Sequence, residues 1–253
     1  MVRGIVRFRE HFADYTDRFV LVGGAAVDVL MDRAGLTFRA TKDLDVVLLV
    51  ESLDAEFGAV FWEFIKAGEY EHRHKSRGEA CFYRFHTPKD ESYPHMIELF
   101  ARRKGVVEMP AEAVVAPLPV AEEVSSLSAI LLDDIYYEFV RRGARVVEGV
   151  PLLGPEYLIP LKAHAWLDLT RRRDVGESIQ GDDIKKHRAD VVRLYQLISP
   201  TARVLLPAEI AADLADFLGR AYADGYDPAV VRVRDTNIEE VVLALRAVYG
   251  LDA

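Results

Sequence analysis

The chain has 253 residues, a net charge of −9, and 51% hydrophobic and 29% charged residues, the composition of a soluble globular chain long enough for one large domain or two small ones. No run reaches the apolar length a bilayer requires and the first residues are laced with charge, so no membrane role and no secretory leader are expected. The acidic balance excludes a protein that coats nucleic acid over its whole surface, and the single cysteine, Cys81, excludes an internal disulfide and suits a reducing cytoplasm.

In chain order, residues 6–17 read as a short amphipathic helix and 19–22 (FVLV) as a buried strand. Gly23-Gly24 makes a turn, and a helix is expected from Ala25. A second buried strand opens on Asp43-Leu44-Asp45 and runs through 46–50. Residues 53–67 carry Phe57, Phe61, Phe64 and Ile65 at helical spacing, a core stripe of a crossover helix lying on the sheet. Residues 69–77 are dense in charge. Their His72 and His74, with Cys81, lack the second ligand pair that a zinc site needs, and an exposed hairpin flank is the preferred reading. Strands follow at 81–85 (CFYRF) and 96–100 (MIELF), joined by a loop rich in proline and acids.

Residues 108–123 read as a connection on the core and 125–132 (SSLSAILL) as a strand. A helix capped by Asp133 and ended at Gly143 comes next, then a strand over 145–153. From there the pattern is helical. Residues 155–168 form a helix with Pro160 inside it, and the next begins at Asp183 with Ile184, His187, Val191, Leu194 and Ile198 as its buried seam. Lys186 and Asp190 lie four apart and share a face. Helices at 207–222 and 238–249 close the chain, with a turn at 224–228 between them. The fold class expected is α+β: a mixed sheet with flanking helices over residues 1–153, followed by a helical domain over 154–253.

The chemistry concentrates between residues 19 and 50. Strand side chains alternate faces, so Asp43 and Asp45 project together while Leu44 and Val46 point the other way. Two acids beside a run apolar on both faces are costly unless a cation joins them, and a hard divalent ion such as magnesium suits such ligands. The Gly-Gly turn lets backbone N–H groups approach a phosphate, and the helix behind it offers its positive end. Simpler readings stand beside these: a tight turn, and aspartates bonded to nearby amides. Glu98 faces away from Ile97 and Leu99, either into solvent at a sheet edge or toward a partner of opposite charge. Basic residues gather between Lys162 and Arg193, as a mixed-charge helical surface or as a seat for a polyanion.

Gly23-Gly24, a helix and then Thr41-Lys42-Asp43-Leu44-Asp45 resemble the signature of nucleotidyltransferases of the DNA polymerase beta type. The wording LVGGAA and TKDLDV is most similar to the AbiEii-type branch, toxins of bacterial abortive-infection and toxin–antitoxin systems. Farther on, PLKAHA at Lys162 and KHRAD at Lys186 and Asp190 resemble that branch's lysine and Lys-Asp-x-x-Asp segments, with His187 in place of the first aspartate. The spacing from Gly24 to Asp43 is longer than the branch's, through extra residues at 31–40.

The resemblance implies a nucleotidyltransferase fold and transfer of a nucleoside monophosphate from a nucleoside triphosphate. Asp43, Asp45 and Glu98 would hold magnesium, two ions being expected. Gly23, Gly24, Lys162 and Lys186 would bind the nucleotide, with Asp190 completing the catalytic set. It further implies an RNA acceptor, tRNA above all, and a cognate antitoxin partner. Two other functions remain open from the sequence: a small-molecule nucleotidyltransferase of the aminoglycoside-modifying kind, and a non-catalytic nucleotide-binding module.

Overall fold

A computed structural model of the chain describes residues 2–49, 54–72, 81–101, 133–223 and 225–251, with the backbone alone at 72, 81–83 and 101. The strand expected at 125–132, the connection at 108–123 and His74 lie outside the described residues. The chain divides into two compact units, Met1–Gly154 and Pro155–Ala253.

The first unit is built on a seven-stranded mixed sheet in the order β3-β4-β5-β2-β1-β7-β6. The strands are β1 (Phe19–Val22), β2 (Asp43–Leu48), β3 (Glu71–His72), β4 (Cys81–His86), β5 (Met96–Ala101), β6 (Ala144–Val147) and β7 (Val150–Leu153). β2 runs antiparallel to β1 and parallel to β5, while β7 runs parallel to β1. The central place of β1 accounts for its four consecutive buried residues.

Register gives the sheet two unlike faces. Phe19 pairs with Leu48, Leu21 with Val46, Leu44 with Ile97, and Ile97 with Phe85, so one face is apolar at these pairs of the central strands. Helices α1 (Ile5–His11) and α3 (Ala55–Ala67) supply aromatic rings to it. Phe8 and Phe57 meet Phe19, Phe12 stacks on Phe61, and Phe61 reaches Phe85. The Phe57, Phe61, Phe64 stripe is thus core, each ring 1% exposed. α3 starts where Asp54 accepts the Phe57 amide at 2.8 Å. Helix α2 (Gly23–Arg33) packs on β1 and β2, and α4 (Asp134–Gly143) is capped by Asp133, whose carboxylate accepts the amides of Ile135 and Tyr136.

Several details differ from the sequence expectation or complete it. α2 begins at Gly23 rather than Ala25. It ends at Arg33, and residues 36–42 return to β2 as irregular chain, so the extra residues of this connection make a loop and not a longer helix. The single strand expected over 145–153 is a hairpin, β6 and β7, joined by Glu148 and Gly149 at φ 52° and 77°. Two successive positive φ values are the mark of the tight turn that matches strand twist.

The second unit is helical: α5 (Pro155–Asp174), α6 (Gly181–Tyr195), α7 (Ala208–Arg220) and α8 (Ile238–Tyr249), with α5 packed on α6 and α7. α5 runs beyond the expected end at 168 and carries Pro160 within it. Proline has no amide to give the carbonyl four residues back. That carbonyl belongs to Glu156, and the Tyr249 hydroxyl donates to it at 2.7 Å. An Asn237–Glu240 capping box opens α8. The α+β architecture is therefore as expected, a mixed sheet with helices followed by a helical region. Among the described residues, no helix is long and apolar enough to cross a membrane.

Candidate active site

The site grows from the sheet face opposite the aromatic one. Asp43 and Asp45 are half-buried on it while Leu44 and Val46 are buried on the other. Antiparallel pairing sets Val22 beside Asp45, so the residue after Val22, Gly23, arrives against the Asp45 side chain. Gly23 has φ 64°, and a Cβ on it would run into Oδ2 of Asp45 and stand 2.7 Å from Cγ. Only glycine takes both that backbone conformation and that approach.

Gly24 follows in the first turn of α2. Its N-cap residue, Val22, gives no side-chain cap, and the first-turn amides of a helix are donors suited to an anion. A Cβ on Gly24 would lie 2.8 Å from Oγ1 of Thr41 and 3.6 Å from Nη2 of Arg39. The loop at 36–42 therefore brings a hydroxyl and a guanidinium back over the turn. Sequence reading had named Thr41 only as part of the motif and had not singled out Arg39, because the return of that loop is set by its conformation and not by spacing.

On the other side of Asp45 stands Glu98. Parallel pairing of β2 with β5 sets the two directly abreast, and Asp43 beside Met96. Glu98 turns away from buried Ile97 and Leu99, as alternation requires, and its side chain is 12% exposed. It is not a solvent-facing edge residue: β5 lies between β4 and β2. Its ion-pair partner is Arg84 on β4, the residue in register with it. Nε and Nη2 of Arg84 reach Oε1 of Glu98 at 2.7 and 2.6 Å. Arg84 is a second residue that sequence reading missed, since the pairing is visible only in the register.

Asp45, Glu98 and Arg84 thus form one row across three strands, with Asp43 two residues along β2. Like charges directly abreast in a sheet repel, and a divalent cation is the ligand that turns this pair to advantage. Among the described residues no three carboxylate, imidazole or thiol groups are gathered closely enough to enclose an ion. The carboxylates present are nevertheless the oxygen donors that magnesium takes, two abreast and a third on the same strand face.

The helical unit holds the other residues read from the sequence, and its pairing corrects one expectation. Asp190 does not serve Lys186. It is fully buried, accepting from Nζ of Lys162 at 3.1 Å and from Nη1 of Arg193 at 3.0 Å. Lys186 turns to Asp183 at 2.8 Å, both half-exposed. The shared helix face allowed either partner; burial selects the lysine that is itself 2% exposed. His187 lies buried in the α6 seam with Ile184, Val191 and Leu194. The basic stretch is laced with acids: Arg172 pairs with Asp168 and Glu177, Arg173 with Asp174, and Lys185 with Asp182.

No protein-family model and no curated protein matches the chain. Among solved structures, the crystal structure of an antigenic nucleotidyltransferase-like protein from Paracoccidioides brasiliensis is similar to it. The match covers 98% of this chain and 96% of that one, at 17% identity and a TM-score of 0.47.

Proposed function

We propose that the chain is a metal-dependent nucleotidyltransferase that moves a nucleoside monophosphate from a nucleoside triphosphate to an acceptor hydroxyl. One observation supports this above the rest. The Gly23-Gly24 helix start, suited to phosphate, is packed against Asp45, which stands abreast of Glu98, suited to a cation. A magnesium–triphosphate chelate is a single ligand that needs both subsites side by side.

In this reading the amides of the α2 start hold the phosphates, with Thr41 and Arg39 beside them. Asp43, Asp45 and Glu98 hold magnesium, two ions in the arrangement the family resemblance implies. Magnesium bound there makes the attacking hydroxyl more acidic and offsets charge on the leaving pyrophosphate. The resemblance gives Lys162 and Lys186 the part of neutralising phosphate charge; within the helical unit Asp190 fixes the Lys162 ammonium. The resemblance to AbiEii-type toxins makes RNA the acceptor proposed, tRNA in particular, with an antitoxin as partner. A small cationic acceptor is the second reading, favoured by the net charge of −9 and by the acids that pair the basic stretch.

The test is a transfer assay with magnesium, each triphosphate labelled at the α-phosphate, and total bacterial RNA. Asp43→Asn or Asp45→Asn should abolish labelling while leaving the fold intact. Labelling by both variants at the parental rate would remove this site from consideration. RNA as acceptor predicts activity that falls steeply with salt; a small cationic acceptor predicts label on aminoglycoside-type molecules and none on RNA. Triphosphate binding without product on any acceptor would point to a non-catalytic nucleotide-binding module.

A further inference from the structure

We infer that Arg84 is a positioning residue for the proposed metal site, pinning one oxygen of Glu98 so that the other is presented to the cation. The inference rests on the metal reading of Asp45 and Glu98 and adds a role for a residue outside that ligand set. Arg84, Glu98 and Asp45 are register neighbours on β4, β5 and β2, so their side chains leave the same sheet face in a row. The guanidinium fork commonly gives one N–H to each carboxylate oxygen. Here Nε and Nη2 both go to Oε1, at 2.7 and 2.6 Å, and among the described residues Oε2 takes no bond.

Two consequences follow. A carboxylate held through one oxygen by two donors cannot swing about its last torsion, which leaves Oε2 oriented and available as a ligand. The side chains are 21% and 12% exposed, so water screens the pair little and the restraint persists without metal. Lysine, a point donor on a flexible stem, keeps the charge at this place but not the two-pronged restraint.

The alternative is that Arg84 only balances charge. The two roles predict opposite signs. A cation that merely offsets Glu98 competes with the metal, so its removal tightens metal binding. A residue that orients a ligand weakens metal binding when lost, by about 10- to 100-fold for outer partners of metal ligands.

The experiment is titration of the full chain with Mn2+ alone, free Mn2+ being read by electron paramagnetic resonance. Parental protein, Arg84→Met, Arg84→Lys, Arg84→Gln and Asp45→Asn are compared, with folding checked by circular dichroism. The expected result is a Kd raised about tenfold or more in Arg84→Met, with partial recovery in Arg84→Lys. In transfer assays with Arg84→Lys, the KM for Mn2+ should rise while kcat at saturating Mn2+ is kept. Unchanged or tighter Mn2+ binding in folded Arg84→Met overturns the inference. If that variant does not fold, Arg84→Gln and Arg84→Lys decide by the same criterion. Parental protein that binds no Mn2+, or binds it as well after Asp45→Asn, overturns the metal reading itself and this inference with it.

Discussion

Gly23→Ala tests how closely the turn and the acid depend on one another. Its cost has two parts. The backbone at φ 64° is left-handed, and a Cβ there costs about 1–2 kcal/mol. For a chain of this size that lowers the melting midpoint by about 2–4 °C per kcal/mol. The new Cβ would also stand 2.7 Å from Cγ of Asp45. Carbon atoms pack at about 3.5–4.0 Å, so the carboxyl group has to retreat by on the order of 1 Å. A displacement of that size at a reacting centre costs about 100-fold in rate, far beyond what the stability loss accounts for. Gly24→Ala is the internal comparison, since its Cβ meets a hydroxyl on an irregular loop at 2.8 Å and alanine gains about 1 kcal/mol over glycine in a helix. Urea unfolding followed by circular dichroism, run beside the labelled-transfer assay, should show Gly23→Ala slightly less stable and nearly inactive. Gly24→Ala should keep its stability. A Gly23→Ala protein with parental stability and parental transfer would refute the packing of turn against acid.

The remaining predictions concern the scaffold. Asp190→Ala leaves the buried Lys162 ammonium without its carboxylate, a loss of about 3–5 kcal/mol, whereas Lys186→Ala, at an exposed pair, should change stability by less than about 1 kcal/mol; equal unfolding midpoints for the two would refute the buried pair. Tyr249→Phe removes the donor that serves the Glu156 carbonyl opposite Pro160 and should cost about 1–3 kcal/mol, and no cost would mean that this carbonyl is satisfied otherwise. Burial pushes the phenols of Tyr70, Tyr222 and Tyr249 well above their ordinary range. The unfolded chain therefore releases these protons near pH 10 while the folded chain keeps them, and stability must fall as pH rises past about 10. Phenolate absorbance should show these three ionising only together with unfolding; their ionisation in the folded protein would contradict the burial.

What the sequence made legible is what local pattern controls. The alternation in Asp43-Leu44-Asp45, the continuous apolar β1, the aromatic stripe of α3 and the cap at Asp133 each depend on neighbours a few residues away. The misses depend on pairing. Glu98 and Arg84 are 14 residues apart and meet across a hairpin, and Lys162 and Asp190 are 28 apart. Within α6 the rule for residues four apart offered Lys186 to Asp190 as readily as any other partner, and only the packing of α5 on α6 decided against it. The β6–β7 turn escaped because glutamate is an unusual occupant of a position with φ 52°.

The two faces of the sheet explain how so polar a row is held in place. A slip of one residue in β2 would turn Asp43 and Asp45 into the aromatic layer of Phe19, Phe57 and Phe61 and carry Leu44 and Val46 out to the acid face. Leu44 and Val46 are 0% and 1% exposed, and fully burying such a side chain contributes about 1.5–3 kcal/mol. The slip would move Leu44 into the half-buried place of an aspartate and impose carboxylates on the core as well. The apolar face thus locks the register, and the register brings Gly23, from the end of β1, to Asp45, near the start of an antiparallel β2. Because β5 runs parallel to β2, Glu98 enters on the same edge of the sheet. Residues drawn from three separate parts of the chain therefore meet as a consequence of how the opposite face packs, and none of them need stabilise the fold to be kept in position.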